Sequence, residues 1–303
     1  MEMFNRKVLK ERIGHLQKND KLDYLEQVEG YVIRKCSENG IEYSYDVMAE
    51  EMPYFRTIAY TELATCFYLQ PLNFKLRNAQ MQDAFNDTDH EVLDYSSYFV
   101  SNITDNTANK YKDRQDDYQK WPAKDYLVIL PGSNKLKDNC CLNKMRHIQK
   151  SHKGNVLFKP HPITTHQIIG EMKDLFGQEN VLPREMDMYY YIQKAKKVYT
   201  THISESAVYA SVLGKDIEPF DVWNNIFYGS FYCVSNYLFD NKHDARNYIN
   251  KTFSSPKSGI ICPRIDKNWK EKVDRYFEYI TSKRNKYRNW FIDSRKPKQD
   301  NKK

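Results

Sequence analysis

An α/β fold built on a parallel sheet is the class this sequence predicts, and three observations lead there. From Asp125 onward, short apolar runs alternate with helix-like segments of roughly 10–13 residues, the rhythm of strand–crossover–strand units. Glycine and proline stand at the joints of that rhythm, at Pro131-Gly132, Gly177 and Gly214. The chain has 303 residues, 40% of them hydrophobic, enough for one large or two modest domains with a real core.

Each element follows from local pattern. Tyr126–Leu130 is a first strand, closed by the turn signal Pro131-Gly132-Ser133-Asn134. Cys141–Ser151 is helix-like, with Leu142, Met145 and Ile148 on one face. Strand Val156–Phe158 comes next, then a helix over Thr165–Phe176 that Gly177 is placed to end. Val181-Leu182 reads as a short strand, Met186–Ala195 as a helix and Lys197–Thr200 as a strand. Helix Glu205–Leu213 stops at Gly214, and Asp216–Phe220 is the last strand of the series. Among the first 120 residues, helices are expected around Arg6–Leu16 and Asp23–Lys35, and strands near Arg56–Tyr60 and Tyr98–Val100. No glycine-rich turn follows a strand there. Residues 102–120 are polar and read as a linker or surface helix. Trp269, Val273, Tyr276, Phe277 and Ile280 recur at helical spacing and predict a long amphipathic helix, followed by a basic, disordered tail from Arg295. The expected division is a smaller, helix-rich domain over 1–120, a Rossmann-like domain over 121–265, and the helix with its tail over 266–303.

Composition narrows the function classes. No apolar run approaches the roughly 20 residues of a membrane span, and the N-terminus is too charged for a secretion signal. A soluble cytoplasmic protein is the expectation. None of the six cysteines has the spacing of a zinc site, and vicinal Cys140-Cys141 read as reduced thiols at a helix start. Residues 1–120 hold 15 Lys and Arg against 21 Asp and Glu, whereas 121–303 hold 32 against 19. Anionic ligands are therefore expected on the C-terminal side.

Two segments carry the chemistry. Asn155-Val156-Leu157-Phe158-Lys159-Pro160-His161-Pro162 reads as a buried strand delivering a lysine and a histidine at its end. Val198-Tyr199-Thr200-Thr201-His202-Ile203-Ser204-Glu205-Ser206 repeats the plan with hydroxyls. Cations and hydroxyl donors at one edge of an α/β sheet suit a phosphorylated ligand. Ser204 and Ser206 can also cap the helix that follows, through the same N–H groups that would meet a phosphate. Glu205 reads as a favourable first-turn charge, His202 as packing, and His147, His152 and His166 as exposed helix residues.

Lys-Pro-His-Pro at one strand end, a serine-bearing strand end downstream, then helix, Gly214-Lys215 and strand, resembles GT-B-type glycosyltransferases. The likeness is to bacterial capsule-synthesis, Kdo-transferase and sialyltransferase-like enzymes with an HP and a serine motif, and covers about residues 125–225. It implies a two-domain architecture, with 1–120 on the acceptor side and a nucleotide-sugar as co-substrate. No bound cofactor or metal is implied. In that likeness His161 contacts the donor phosphate, Lys159 adds charge, Ser204 and Ser206 bind the same phosphate, and Gly132 and Ser133 line the cleft. Stabilising the departing nucleotide is the physical logic. Where many relatives carry Glu-Ala for the ribose, this chain has Tyr209-Ala210.

A base for the acceptor hydroxyl is expected in the acidic half, with Glu62, Asp46 and Glu50-Glu51 as candidates. Asp87-Thr88-Asp89 matches a metal-binding Asp-x-Asp but lacks a hydrophobic strand before it. The expected acceptor is a surface glycan or lipid-linked saccharide. A hydroxymethylated phage DNA base is the other acceptor that a basic tail would fit. CDP-alcohol-dependent polyol-phosphate transfer and noncatalytic binding of an anionic polymer are the alternative functions.

Overall fold

The computed structural model describes residues 25–41, 55–60, 66–71, 74–104, 118–130, 142–161, 164–202, 204–220 and 232–283. In chain order these form α1 (Leu25–Glu38), β1 (Phe55–Tyr60), β2 (Phe67–Pro71), α2 (Phe74–Phe85), α3 (Tyr95–Thr104), β3 (Tyr126–Ile129) and α4 (Leu142–Ser151). There follow β4 (Val156–Lys159), α5 (His166–Phe176), α6 (Met188–Lys194), β5 (Lys197–Thr200), α7 (Ser206–Val212), β6 (Asp216–Pro219), α8 (Tyr232–Asp240), α9 (Ala245–Ser254), β7 (Ile260–Ile261) and α10 (Trp269–Ser282). The described residues fall into two compact units, one running from Ser96 to Tyr248 and the other combining those up to Tyr95 with those from Ile249 onward. No described helix is long and apolar enough to cross a membrane.

The Ser96–Tyr248 unit is α/β, with a four-stranded parallel sheet in the order β4-β3-β5-β6. Side chains alternate across the pleat. Tyr126, Val128, Val156, Phe158 and Tyr199 join Met145 and Ile148 of α4 and Ile168, Ile169, Met172 and Phe176 of α5 in one core. Leu127, Leu157, Val198 and Ile217 are buried as well, on the other parity. Helix ends follow local chemistry. Thr165 Oγ1 accepts the Ile168 N–H to start α5, and Gly177, at φ 91°, ends it with its N–H on the Lys173 carbonyl. Asp187 caps α6 by accepting from the N–H groups of Tyr189 (2.8 Å) and Tyr190 (3.2 Å).

Two expected strands take other forms. Val181-Leu182 makes only an isolated parallel bridge, Phe158 to Val181, because a tight 3-10 turn at Gln178–Asn180 leads straight into it. Tyr98–Val100 is helical. Tyr95 and Phe99, four residues apart, are both fully buried, and that spacing outweighs the β preference of the Tyr-Phe-Val run.

The second unit pairs β1, β2 and β7 in an antiparallel sheet. Val28, Val32 and Cys36 of α1 pack with Val273, Tyr276, Phe277 and Ile280 of α10. Lys35 Nζ lies 2.8 Å from Asp274, whose carboxylate also accepts from Tyr31 Oη at 2.9 Å. Beneath them, Lys272 Nζ donates to Asp266 (2.9 Å), to Tyr95 Oη (3.0 Å) and to the Phe253 carbonyl (2.6 Å). Tyr95 Oη donates to the same carboxylate at 2.6 Å. A buried ion pair this fully hydrogen-bonded tolerates low dielectric; removing either partner would strand a charge.

Gly259 is the tightest point of this unit. Its φ is 68°, and a Cβ there would fall 2.0 Å from the Leu69 carbonyl oxygen. Gly259→Ala is expected to lower stability by at least ~1–3 kcal/mol, from left-handed strain plus that clash, read from urea unfolding. In the α/β unit, His152 stacks on Tyr126 at 3.4 Å and hydrogen-bonds Tyr199 Oη at 2.9 Å, so it is not the plain exposed residue expected. Burial, helped by Lys197, lowers its pKa from the ordinary 6.5. The unfolded chain therefore takes up its proton first as pH falls. This contribution is complete above about 6.5 and is lost below it, toward the folded value. His90 shifts in the same direction, chiefly through burial. His152→Gln should reduce, without abolishing, the fall in the urea midpoint between about pH 7.5 and about pH 5.5.

Candidate functional site

Matched register brings the strand ends level. Phe158, Val128, Tyr199 and Glu218 form one continuous row across the sheet. One residue further, Lys159 pairs with Ile129 and Thr200 pairs with Pro219, so all four strands end together. The chain runs from β3 out to β4 and then returns to β5 on the other side of β3. Ligand sites of open α/β sheets lie outside the carboxyl ends at such a reversal of strand order. Both segments singled out from the sequence lead away from this edge, one from β4 and one from β5. Two inter-strand spacings, about 9–10 Å, separate those strands.

At the β4 end, His161 is exposed, and its carbonyl accepts the Thr164 N–H at 2.9 Å. Lys159 is placed otherwise than expected. It is 3% exposed, and its ammonium donates to the carbonyls of Pro160 (2.7 Å) and Arg184 (2.8 Å). Strand parity turns this side chain inward, so it braces the loop instead of presenting a charge at the edge. A half-buried cation of the region, which sequence reading missed, is Arg184. Its Nη1 donates to the Thr164 carbonyl (3.0 Å) and its Nε to Glu185 (2.7 Å). No other hydrogen bond of this guanidinium is present among the described residues. Asp187, close to Lys159, is buried beside it. Burial pushes its carboxyl upward, against the pull of the α6 N–H donors, Tyr118 and the lysine charge.

At the β5 end, three hydroxyls form a chain. Thr200 Oγ1 bonds Ser206 Oγ, which lies 2.7 Å from Ser204 Oγ. Ser204 Oγ also accepts the Ser206 N–H at 3.3 Å, a local cap ahead of α7. Ser206 is fully buried with a partner on either side, so Ser204, half-buried, is the member that reaches the edge. Glu205 makes no side-chain cap. His202 packs edge-on against Phe239 at 4.8 Å, in keeping with its expected role. Tyr209 is buried, and its hydroxyl accepts from Tyr189 Oη at 2.9 Å. This side chain is therefore committed to the core.

Two further groups stand out at the same edge. Thr201 is fully buried and Thr164 is 2% exposed, yet neither side-chain hydroxyl has a hydrogen-bond partner among the described residues. A buried unpaired hydroxyl costs about 1–3 kcal/mol, and such groups in folded proteins call for a specific reason. Thr201 lies in the hydroxyl-bearing segment that the sequence singles out, but its lack of a partner is visible only in the structure.

Gly132, Ser133, Glu62, Asp46 and Glu50-Glu51 lie outside the described residues, as do Cys140 and Cys141. Asp87 of the Asp-x-Asp sequence is buried and structural. It accepts from Ser255 Oγ (2.6 Å) and pairs with Lys257 (2.6 Å), which hold its carboxyl below the ordinary value despite burial. Among the described residues, no group of three or more His, Cys, Asp or Glu side chains is placed to hold a metal ion.

Comparison of the chain with family models, with curated proteins and with solved structures gave no match. The reading of this edge therefore rests on its own geometry. If the Thr201 hydroxyl is held for a ligand, the unliganded protein bears its burden. Thr201→Val, an isostere without the hydroxyl, is expected to raise unliganded stability by about 1 kcal/mol, measured by urea unfolding.

Proposed function

We propose that this chain is a glycosyltransferase of the GT-B type that moves a sugar from a CMP- or UDP-linked donor to a hydroxyl of a surface glycan or lipid-linked saccharide. In this reading the Ser96–Tyr248 unit is the donor half of a two-domain enzyme, and the other unit serves the acceptor. The observation that carries it is the convergence at one sheet edge: His161 beyond β4 and Ser204 beyond β5, flanking the reversal of strand order. The gap between them suits a nucleoside monophosphate or diphosphate.

The chemistry follows from what those groups offer. Cleaving a sugar–phosphate bond builds negative charge on the departing phosphate. An exposed imidazole, the free side of the Arg184 guanidinium and the Ser204 hydroxyl supply directed donors that meet it. Arg184 takes the part that the sequence assigned to Lys159, whose ammonium is already engaged by two carbonyls. The Thr201 hydroxyl completes the set as a neutral donor. Glu62 and Asp46 stay the candidates for the base that deprotonates the acceptor.

Transfer assays with CMP- and UDP-sugars test this reading. His161→Ala is expected to lower kcat by a factor of ~10²–10³, the typical effect of one lost donor to developing charge, with the unfolding midpoint unchanged. Absence of turnover and of nucleotide binding with every donor, in protein that is folded, would defeat the proposal.

A further inference from the structure

Away from the sheet edge, two cysteines in the antiparallel unit face each other. Strands β2 and β7 pair Tyr68 with Ile260 and Phe67 with Ile261. The next pair outward in that register is Cys66 with Cys262. Leu69 N–H donates to the Gly259 carbonyl at 2.8 Å, which makes Leu69–Gly259 a hydrogen-bonded pair. By alternation Cys66–Cys262 is a non-hydrogen-bonded pair, the closer kind, with Cα atoms about 4.5 Å apart and side chains on one face. Consistent with this, the Cys262 N–H turns to Asp266 Oδ2 at 2.7 Å. That Cα separation lies within the range that a disulfide spans. Both residues are fully buried, and Cys262 is among the neighbours that, after burial, push the Cys66 thiol up.

We propose that Cys66 and Cys262 form a dithiol modification site, oxidised by a low-molecular-weight disulfide such as oxidised glutathione to a cross-strand disulfide. The resting state is the dithiol, because burial holds the Cys66 thiol well above its ordinary pKa and excludes oxidant. Reaction begins when β7, a two-residue edge strand, separates from β2. One cysteine, deprotonated on exposure, attacks the oxidant's disulfide and releases one glutathione thiolate, which takes up the proton. The second cysteine, likewise deprotonated, attacks the mixed disulfide, forms the Sγ–Sγ bond and releases the second glutathione as a thiol. Two protein thiols are oxidised and one external disulfide is reduced to two thiols. The loop so closed contains the whole of Ser96–Tyr248. The bond would tie together the two sequence-distant parts of the antiparallel unit, a constraint that acts strongly on the unfolded chain.

The experiment uses the full chain carrying Cys140→Ser and Cys141→Ser, which removes the vicinal pair. Protein is incubated with oxidised glutathione in urea concentrations up to the foot of its unfolding transition, then alkylated under denaturing conditions and mapped without reduction. The expected result is one linked peptide pair containing Cys66 and Cys262, two hydrogens lighter than the free peptides and separated by dithiothreitol. The thermal midpoint of the oxidised protein should exceed that of the reduced protein. Adding Cys262→Ser should abolish the linked pair. If that variant fails to fold, the map of the parent decides alone. Recovery of Cys66 and Cys262 as alkylated free thiols, as stable glutathione adducts, or linked to Cys36 or Cys233 would overturn the proposal.

Discussion

Parallel pairing in matched register is the constraint on which the α/β unit depends. With Phe158, Val128, Tyr199 and Glu218 in one row, no strand projects beyond its neighbours, and the chain must leave all four at the same level. Loops carrying polar side chains are thereby gathered along one edge, while the pleat sends alternate residues to the two buried faces. The placement of His161, Thr201 and Ser204 follows from that levelness together with the return of the chain across β3. A register slip of one residue in β4 would exchange Phe158 and Lys159 between the faces, so the apolar core and the edge are specified together.

Polar groups at this edge divide into satisfied and unsatisfied sets. The Lys159 ammonium is engaged by two carbonyls, and Ser206 is held between Thr200 and Ser204. These groups stiffen the loops and have little left to offer a ligand. Among the described residues, Thr164 and Thr201 keep buried hydroxyls without partners, and Arg184 keeps one side of its fork unbonded. In the proposed reading, a phosphate arriving at the edge would complete their hydrogen bonding, trading stability of the empty protein for binding of the ligand.

The antiparallel unit solves a different problem, because its chain is interrupted by the whole of Ser96–Tyr248. Links between its early and late segments hold it together. Asp87 is clipped by Ser255 and Lys257, Gln80 Nε2 donates to the Ser258 carbonyl at 2.7 Å, and Tyr95 meets Asp266 and Lys272. Each link spans a long sequence separation, so its closure entropy must be offset by burial, and nearly all these groups are buried. The facing cysteines belong to the same set of long-range pairings.

Much of the architecture was legible in the sequence because it is a matter of local pattern. Apolar runs at Tyr126–Leu130, Val156–Phe158 and Lys197–Thr200 marked strands, Gly177 and Gly214 marked helix ends, and the spacing of Trp269, Val273, Tyr276 and Ile280 marked α10. Periodicity and backbone preference act within a few residues, and a sequence states them directly. The helix at Tyr95–Thr104, the reduction of Val181-Leu182 to a bridge, the inward turn of Lys159, the placement of Arg184 and the Thr201 hydroxyl unpartnered among the described residues were decided only by tertiary structure. Each depends on which distant atoms arrive beside a side chain and whether a buried polar group finds its partner there. That is a property of packing, and one-dimensional order does not contain it.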